Sequence, residues 1–252
     1  MLPEGQRLNC EQGMVELNSW RGVQRLSALP LPQRDRWRST GDINISAKSG
    51  SGNVEEDRLD VDTLIELRRN QYRHRFLVEY DFQETNDTQV SDHRRFRYQF
   101  DLFIDDRWFY NTELGWEMDR FADLAGRGTV SVGLGYQFFD TDLLQLSVKG
   151  GPAYLTEHFI VDQDREVIAG YLSTDFRLRL NRLGLEFFHR NQLLQSFDQG
   201  EDWELETDTG FKLPIIGRLN AFTQLEYDYD NTPSGEAVSK DEVWSVGLSY
   251  DW

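Results

Sequence analysis

The chain has little positive charge, a single cysteine and no long apolar run. Of its 252 residues, 27 are Lys or Arg against 44 Asp or Glu, a formal charge of -17. A surface with that balance repels phosphates, so nucleic acid is not an expected partner. The one cysteine, Cys10, excludes an intrachain disulfide. Nothing around it has the spacing of a metal site, and no cofactor is expected. No stretch of about 18 apolar residues occurs and the mean hydropathy is -0.63, which argues against helical membrane spans. Membrane strands stay open, because a strand shows lipid only every second residue and averages out as polar. Residues 1–38 also lack the charged stub and apolar core of a secretory signal. For an exported protein the expectation is a signal removed from this chain, or a start that lies elsewhere.

What is present is aromatic and alternating. The chain carries 16 Phe, 10 Tyr and 7 Trp, too many for an acidic chain that stays disordered. Its last nine residues, WSVGLSYDW, place Trp244, Val246, Leu248, Tyr250 and Trp252 on one face of a strand and Ser245, Gly247, Ser249 and Asp251 on the other. From Trp37 onward the same pattern recurs between turn residues. His74, Phe76, Val78, Tyr80 and Phe82 oppose Arg73, Arg75, Glu79 and Asp81. Phe96, Tyr98, Phe100, Leu102 and Ile104 oppose Arg95, Arg97, Gln99 and Asp101. Val130, Val132, Leu134, Tyr136 and Phe138 oppose Ser131, Gly133, Gly135 and Gln137. About twelve such segments fit, each near the length of a tilted membrane crossing. Gly150-Gly151-Pro152 reads as a bulge or kink. Short turns near Asn70, Asp105 and Asn181 contrast with longer loops expected over 84–94, 159–165 and 231–241.

The pattern predicts an all-β fold, an antiparallel up-and-down transmembrane β-barrel of residues 37–252, preceded by an extension over 1–36 that is irregular or a short helix. Within that extension, residues 21–29 read as an amphipathic stretch before Pro30, a partner surface or plug. The alternative is a soluble sandwich or lipocalin-like barrel with the apolar face inward. Three features favour lipid outside: an almost uncharged apolar face, aromatics toward strand ends, and a final aromatic in register with that face. Trp108, Trp116, Trp203, Trp244, Tyr250 and Trp252 are the expected interface aromatics. The expected partners are outer-membrane lipid and the barrel-assembly machinery.

The opposite face then lines the lumen. It carries Glu66, Glu79, Asp101, Glu113, Glu117, Glu186, Glu204, Glu206 and Glu226 against Arg95, Arg97, Arg177, Arg179 and Arg190, with Arg68, Arg75, Lys149 and Lys212 on the same face. A barrel this narrow lets such charges pair, so a largely closed structural lumen is expected ahead of a narrow cation-preferring channel or a ligand site. A third reading is an outer-membrane enzyme, which needs a His beside a nucleophile or carboxylate. His93 and His158 fall in or near loops, and His74 reads as lipid-facing or interfacial. His189, near Arg190 and Glu186, is the nearest candidate, more simply read as structural. No enzyme is expected. Loop carboxylates Asp87, Asp92, Asp162, Asp164, Glu236 and Asp241 lack calcium-loop spacing and read as solvated charge.

Five stretches carry a family resemblance: GDINISAKSGSGN at 41–53, RFADLAGR at 120–127, GLGY at 133–136, GGPAY at 150–154 and VGLSY at 246–250. In these the chain resembles the salt-induced outer-membrane protein family, a bacterial barrel group of unknown function. The resemblance spans about Trp37 to Trp252. It implies a Gram-negative outer-membrane location and a barrel, and it implies no catalytic residues.

Overall fold

The computed structural model describes residues 10–11, 14–15, 36–50, 56–121, 123–161, 163–180, 184–198, 200, 202–233 and 238–252. The chain divides into two units, Met1–Asp35 and Arg36–Trp252. In the first, β1 (Cys10–Glu11) pairs antiparallel with β2 (Met14–Val15). The amphipathic stretch expected over 21–29 lies outside the described residues.

The second unit holds twelve strands: β3 (Arg38–Gly50), β4 (Glu56–Arg69), β5 (Tyr72–Thr85), β6 (Thr88–Phe103), β7 (Trp108–Asp119), β8 (Leu124–Asp140), β9 (Leu144–Phe159), β10 (Arg165–Leu180), β11 (Leu185–Ser196), β12 (Trp203–Ile216), β13 (Leu219–Asp230) and β14 (Lys240–Asp251). Each pairs antiparallel with its sequence neighbours, and β14 pairs with β3 to close the barrel. An even strand count lets a meander close this way with both ends on one side. The alternation read from the sequence sets the register. Ile45 meets Val61, Val78 meets Phe96, Leu114 meets Val130 and Leu225 meets Trp244, so the apolar positions share one face all round.

That face is outside. Val246, Trp244, Val132 and Leu172 are exposed, whereas Asp101, Glu157, Asn111 and Glu113 are buried within the barrel. Among the described residues, buried polar and charged side chains outnumber buried apolar ones, the inverse of a water-soluble core. The soluble-barrel alternative is thereby excluded.

The short connections follow local chemistry. Asn70 has φ of 51°, and Asn86 and Asp87 have φ of 50° and 57°, the left-handed geometry that a two-residue hairpin turn requires and that Asn and Asp tolerate. In the β6–β7 connection, Asp105 Oδ1 accepts from the backbone N–H groups of Trp108 and Arg107, both at 2.7 Å. These two donors, Trp108 first, hold its carboxyl below the usual range.

Two expectations need correction. The loop placed at 84–94 is instead an extension of the β5–β6 hairpin to its turn at Asn86-Asp87, with a register shift at Gln83/Glu84. The Gly150-Gly151-Pro152 run makes no bulge. Two rungs to β8 are missing there, but the register is the same on both sides, Ser131 to Ala153 and Leu134 to Gly150. A side chain on Gly151 would meet the Val132 carbonyl, and one on Gly133 the Gly150 carbonyl, so the glycines serve close strand approach. The interior holds apolar side chains as well as polar ones. Past that run β9 continues, turning Ala153 and Leu155 inward against Ala169, Tyr171 and Leu194.

Candidate functional site

Among the described residues the lumen concentrates the charged side chains, which are tied at successive levels. Nearest the short turns, the fully buried Asp101 accepts from Arg73 Nε at 2.7 Å, Gln99 Nε2 at 2.8 Å and Asn111 Nδ2 at 2.6 Å. Arg73 also donates to Gln137 at 3.0 Å and lies 4.9 Å and 5.0 Å from the ring centres of Phe103 and Phe109. Phe109 packs where a side chain on Gly135 would sit, and Tyr171 reaches across to donate to Asn111 at 2.8 Å. On the β10–β11 side of this end, Glu186 holds Arg179 at 2.7 Å and Arg177 at 3.4 Å.

One level further in, Arg75 bridges Glu66 at 2.8 Å and Asp175 of β10 at 2.9 Å. Above that, Arg97 of β6 reaches Glu206 of β12 at 2.9 Å, and Arg95 reaches Glu206 at 3.1 Å, Glu79 at 3.1 Å and Glu117 at 3.0 Å. Strands β6 and β12 lie six places apart in a ring of twelve, so these ion pairs cross the lumen. Lys149 bonds Glu113 at 2.8 Å and Gln99 at 2.7 Å. Toward the longer loops, Arg127 bridges Glu157 at 2.6 Å and Glu204 at 2.8 Å, while Arg165 also bonds Glu157.

The eighteen charged residues placed on the inner face by alternation lie at inward strand positions. Fourteen of the eighteen are joined into the networks above, Arg68 is 2.6 Å from Asp140, Lys212 is 2.8 Å from Asp42, Arg190 is 3.6 Å from Asp208, and Arg97 lies 3.5 Å from Glu113. Glu226 accepts from Gln224 at 2.7 Å and makes no ion pair among the described residues. Arg127 and Glu157 were missed, since both lie beyond points where the alternation was read as ending. A continued period-two count through Gly150-Gly151-Pro152 places Glu157 inward.

His93 falls otherwise than expected, and His189 is not grouped with its expected neighbours. His93 is not in a loop: it lies on β6 and bonds Glu117 at 3.1 Å inside the barrel. His189 is separated from Arg190 and Glu186, which point inward. It faces out, bonded to Thr209 at 2.8 Å and Asn191 at 3.2 Å. His74, also outward, bonds the Tyr98 hydroxyl at 2.9 Å. Asp92 is not solvated loop charge but is buried, 2.9 Å from Arg94. Asp164 does sit in a loop, where His158 and the Phe159 N–H lower its carboxyl pKa. Asp162 and Glu236 lie outside the described residues.

Of the interface aromatics, Trp108, Trp116, Trp244 and Tyr250 are exposed on the outer face. Trp203 stacks on Tyr229 with centres 4.8 Å apart, and Trp252 lies over Gly41.

A closed antiparallel barrel, apolar outside and charged within, is the architecture of outer-membrane β-barrel proteins. Residues 43–252 match the family described as Protein of unknown function, DUF481, and the chain belongs to that family. No curated protein matches it. Among solved structures it is similar to the NanC porin, at 12% identity and a TM-score of 0.50, over 84% of this chain and 98% of that one. It also resembles the translocator domain of the autotransporter NalP from Neisseria meningitidis, at 11% identity and a TM-score of 0.47, over 85% and 88% of the two chains. A bacterial polysaccharide outer membrane secretin follows at 10% identity and a TM-score of 0.42, over 85% and 97%. At these identities the likeness is one of fold.

Proposed function

We propose that the protein is an integral outer-membrane barrel that serves the envelope as a sealed structural component, inserted by the barrel-assembly machinery and held by aromatic anchors at both interfaces. The observation that carries this reading is the set of ion pairs across the lumen, above all Arg95 and Arg97 with Glu206. In a narrow, low-dielectric lumen, opposed charges with this geometry hold the walls together and leave no wide water column. The resemblance to the salt-induced group adds the narrower proposal that expression rises with external salt, which transcript levels after a salt step will test.

Planar-bilayer recording tests the sealed lumen. The purified chain is expected to give no steady conductance, whereas Arg95→Ala/Arg97→Ala, checked for a heat-modifiable folded band, should conduct at least several-fold more. Discrete steady conductance with cation preference in the unaltered protein refutes the sealed reading and installs a narrow channel in its place.

A further inference from the structure

The apolar outer wall is broken over one stretch of β10–β12. Taken along the register, Leu172, Leu193 and Leu205 form one outward row, and Leu178, Phe187 and Phe211 form another. Between them lie two rows of a different kind: Thr174, Asn191 and Thr207, then Phe176, His189 and Thr209. Five polar residues therefore adjoin on three neighbouring strands, near the middle of each strand and so near the middle of the hydrocarbon layer. Mid-strand threonines elsewhere stand alone in their rows. Thr63 lies between Ile43 and Val78, Thr112 between Phe100 and Val132, and Thr223 between Phe211 and Val246.

Part of this polarity is used within the wall. Asn191 Nδ2 donates to His189 Nε2 at 3.2 Å, so the neutral ring carries its proton on Nδ1 and donates it to the Thr209 hydroxyl at 2.8 Å. The rest is left over. Turned either way round, the Asn191 amide spends one end on His189 and keeps the other, and among the described residues Thr174 and Thr207 make no side-chain hydrogen bond. Acyl chains offer neither donor nor acceptor and water does not reach this depth, so polar groups here are costly until a protein surface meets them.

We propose that this polar window is the seam of a homodimer, in which a second copy of the chain packs its own β10–β12 wall here about a two-fold axis along the membrane normal. Two features favour a second copy over a different protein. Copies inserted in one orientation bring each row against its own image at the same depth. A carboxamide and a hydroxyl each both donate and accept, so Asn191 and Thr207 pair with their own counterparts, and an uncharged window does not repel its image. The leucine and phenylalanine rows on either side then pack against each other and shut lipid out of the contact. The seam depends on the outer wall facing lipid, and a lumen that conducts leaves it standing.

The test is fluorescence energy transfer in vesicles. The full chain is labelled with donor or acceptor at Cys10, its one cysteine, and the two forms are mixed, reconstituted and checked for the heat-modifiable folded band. Transfer above the level of random encounter is expected at high lipid dilution, and unlabelled protein should compete it away. His189→Leu/Asn191→Leu should raise the protein-to-lipid ratio at half-maximal transfer at least about tenfold. Thr207→Trp, which lipid accommodates and a close contact does not, should do the same, and it covers the case in which the double variant folds poorly. Thr63→Leu/Thr112→Leu, on other strands of the same outer wall, should leave transfer unchanged. Transfer no greater than random in the unaltered protein, with the folded band present, overturns the proposal and leaves the barrel reading intact. Undiminished transfer in either seam variant that gives the folded band overturns it too.

Discussion

Deleting residues 249–252 should abolish barrel closure, lowering the heat-modifiable folded fraction at least about tenfold, since each backbone group left unpaired in hydrocarbon costs several kcal/mol. The seam between β14 and β3 is the shortest in the barrel. It consists of Leu248 with Ile45, Ser249 with Asn44, Tyr250 with Ile43 and Asp251 with Asp42. Beyond them Trp252 exchanges backbone hydrogen bonds with Gly41 at 3.0 and 3.2 Å, and its ring occupies the space a Gly41 side chain would need. By contrast, β14 meets β13 from Leu219–Tyr250 through Tyr229–Lys240. The truncation leaves only the Leu248–Ile45 rung, and two strand edges open to lipid. Deleting residues 1–34, with a signal supplied to both forms, should leave insertion intact. Equal insertion by the two truncations refutes the seam's role.

The second large effect is at Asp101. Its carboxylate is fully buried and takes donors from Arg73, Gln99 and Asn111 at once. The Arg73 side chain beside it is only 3% exposed. Asp101→Ala leaves that guanidinium with the neutral Gln137 oxygen in place of its carboxylate and two amides without an acceptor, and urea unfolding followed by tryptophan fluorescence should show a loss of about 3–5 kcal/mol, the cost of breaking a buried pair from one side. Replacing both partners, as Arg73→Met/Asp101→Asn, should recover at least half of that loss, because no uncompensated charge remains. A single Asp101→Ala that costs under about 1 kcal/mol, the worth of a surface ion pair, contradicts a stabilising role for the buried Asp101–Arg73 network.

The fold was legible because one property repeats with one period. Each strand places apolar residues at every second position, and a one-residue slip would turn the whole set inward, so the alternation fixes faces and register together. The last strand shows this most simply, with Trp244, Val246, Leu248 and Tyr250 meeting Leu225, Thr223, Ala221 and Leu219 in order. The partners within the lumen were not legible. Arg97 and Glu206 are 109 positions apart, and their meeting depends on which strands oppose each other in the closed ring.

Errors arose where the alternation was broken or ambiguous. Gly150-Gly151-Pro152 carries local signals of a bulge, but glycines on both strands absorb the proline by close approach. On β11 the outward series is Phe187, His189, Asn191 and Leu193, so two polar residues interrupt the apolar face. His189 then looks, in sequence, like a neighbour of Arg190, although strand geometry points the two to opposite sides. The acidic inner face of the β12–β13 hairpin could have been recognised from spacing alone, since Glu204, Glu206 and Asp208 fold back on Glu226, Asp228 and Asp230 around the Gly217 turn.

The central claim is that the apolar face meets lipid and the charged face lines the lumen. Nitroxide labels placed singly at 130, 131, 132, 245 and 246, in a chain carrying Cys10→Ser and reconstituted in vesicles, test it directly through collision with lipid-dissolved oxygen and with a water-soluble nickel chelate. The account predicts that labels replacing Val130, Val132 and Val246 collide preferentially with oxygen, while those replacing Ser131 and Ser245 are shielded from it. A reversed alternation, or labels at Val130, Val132 and Val246 that meet the nickel chelate more than oxygen, would contradict the account.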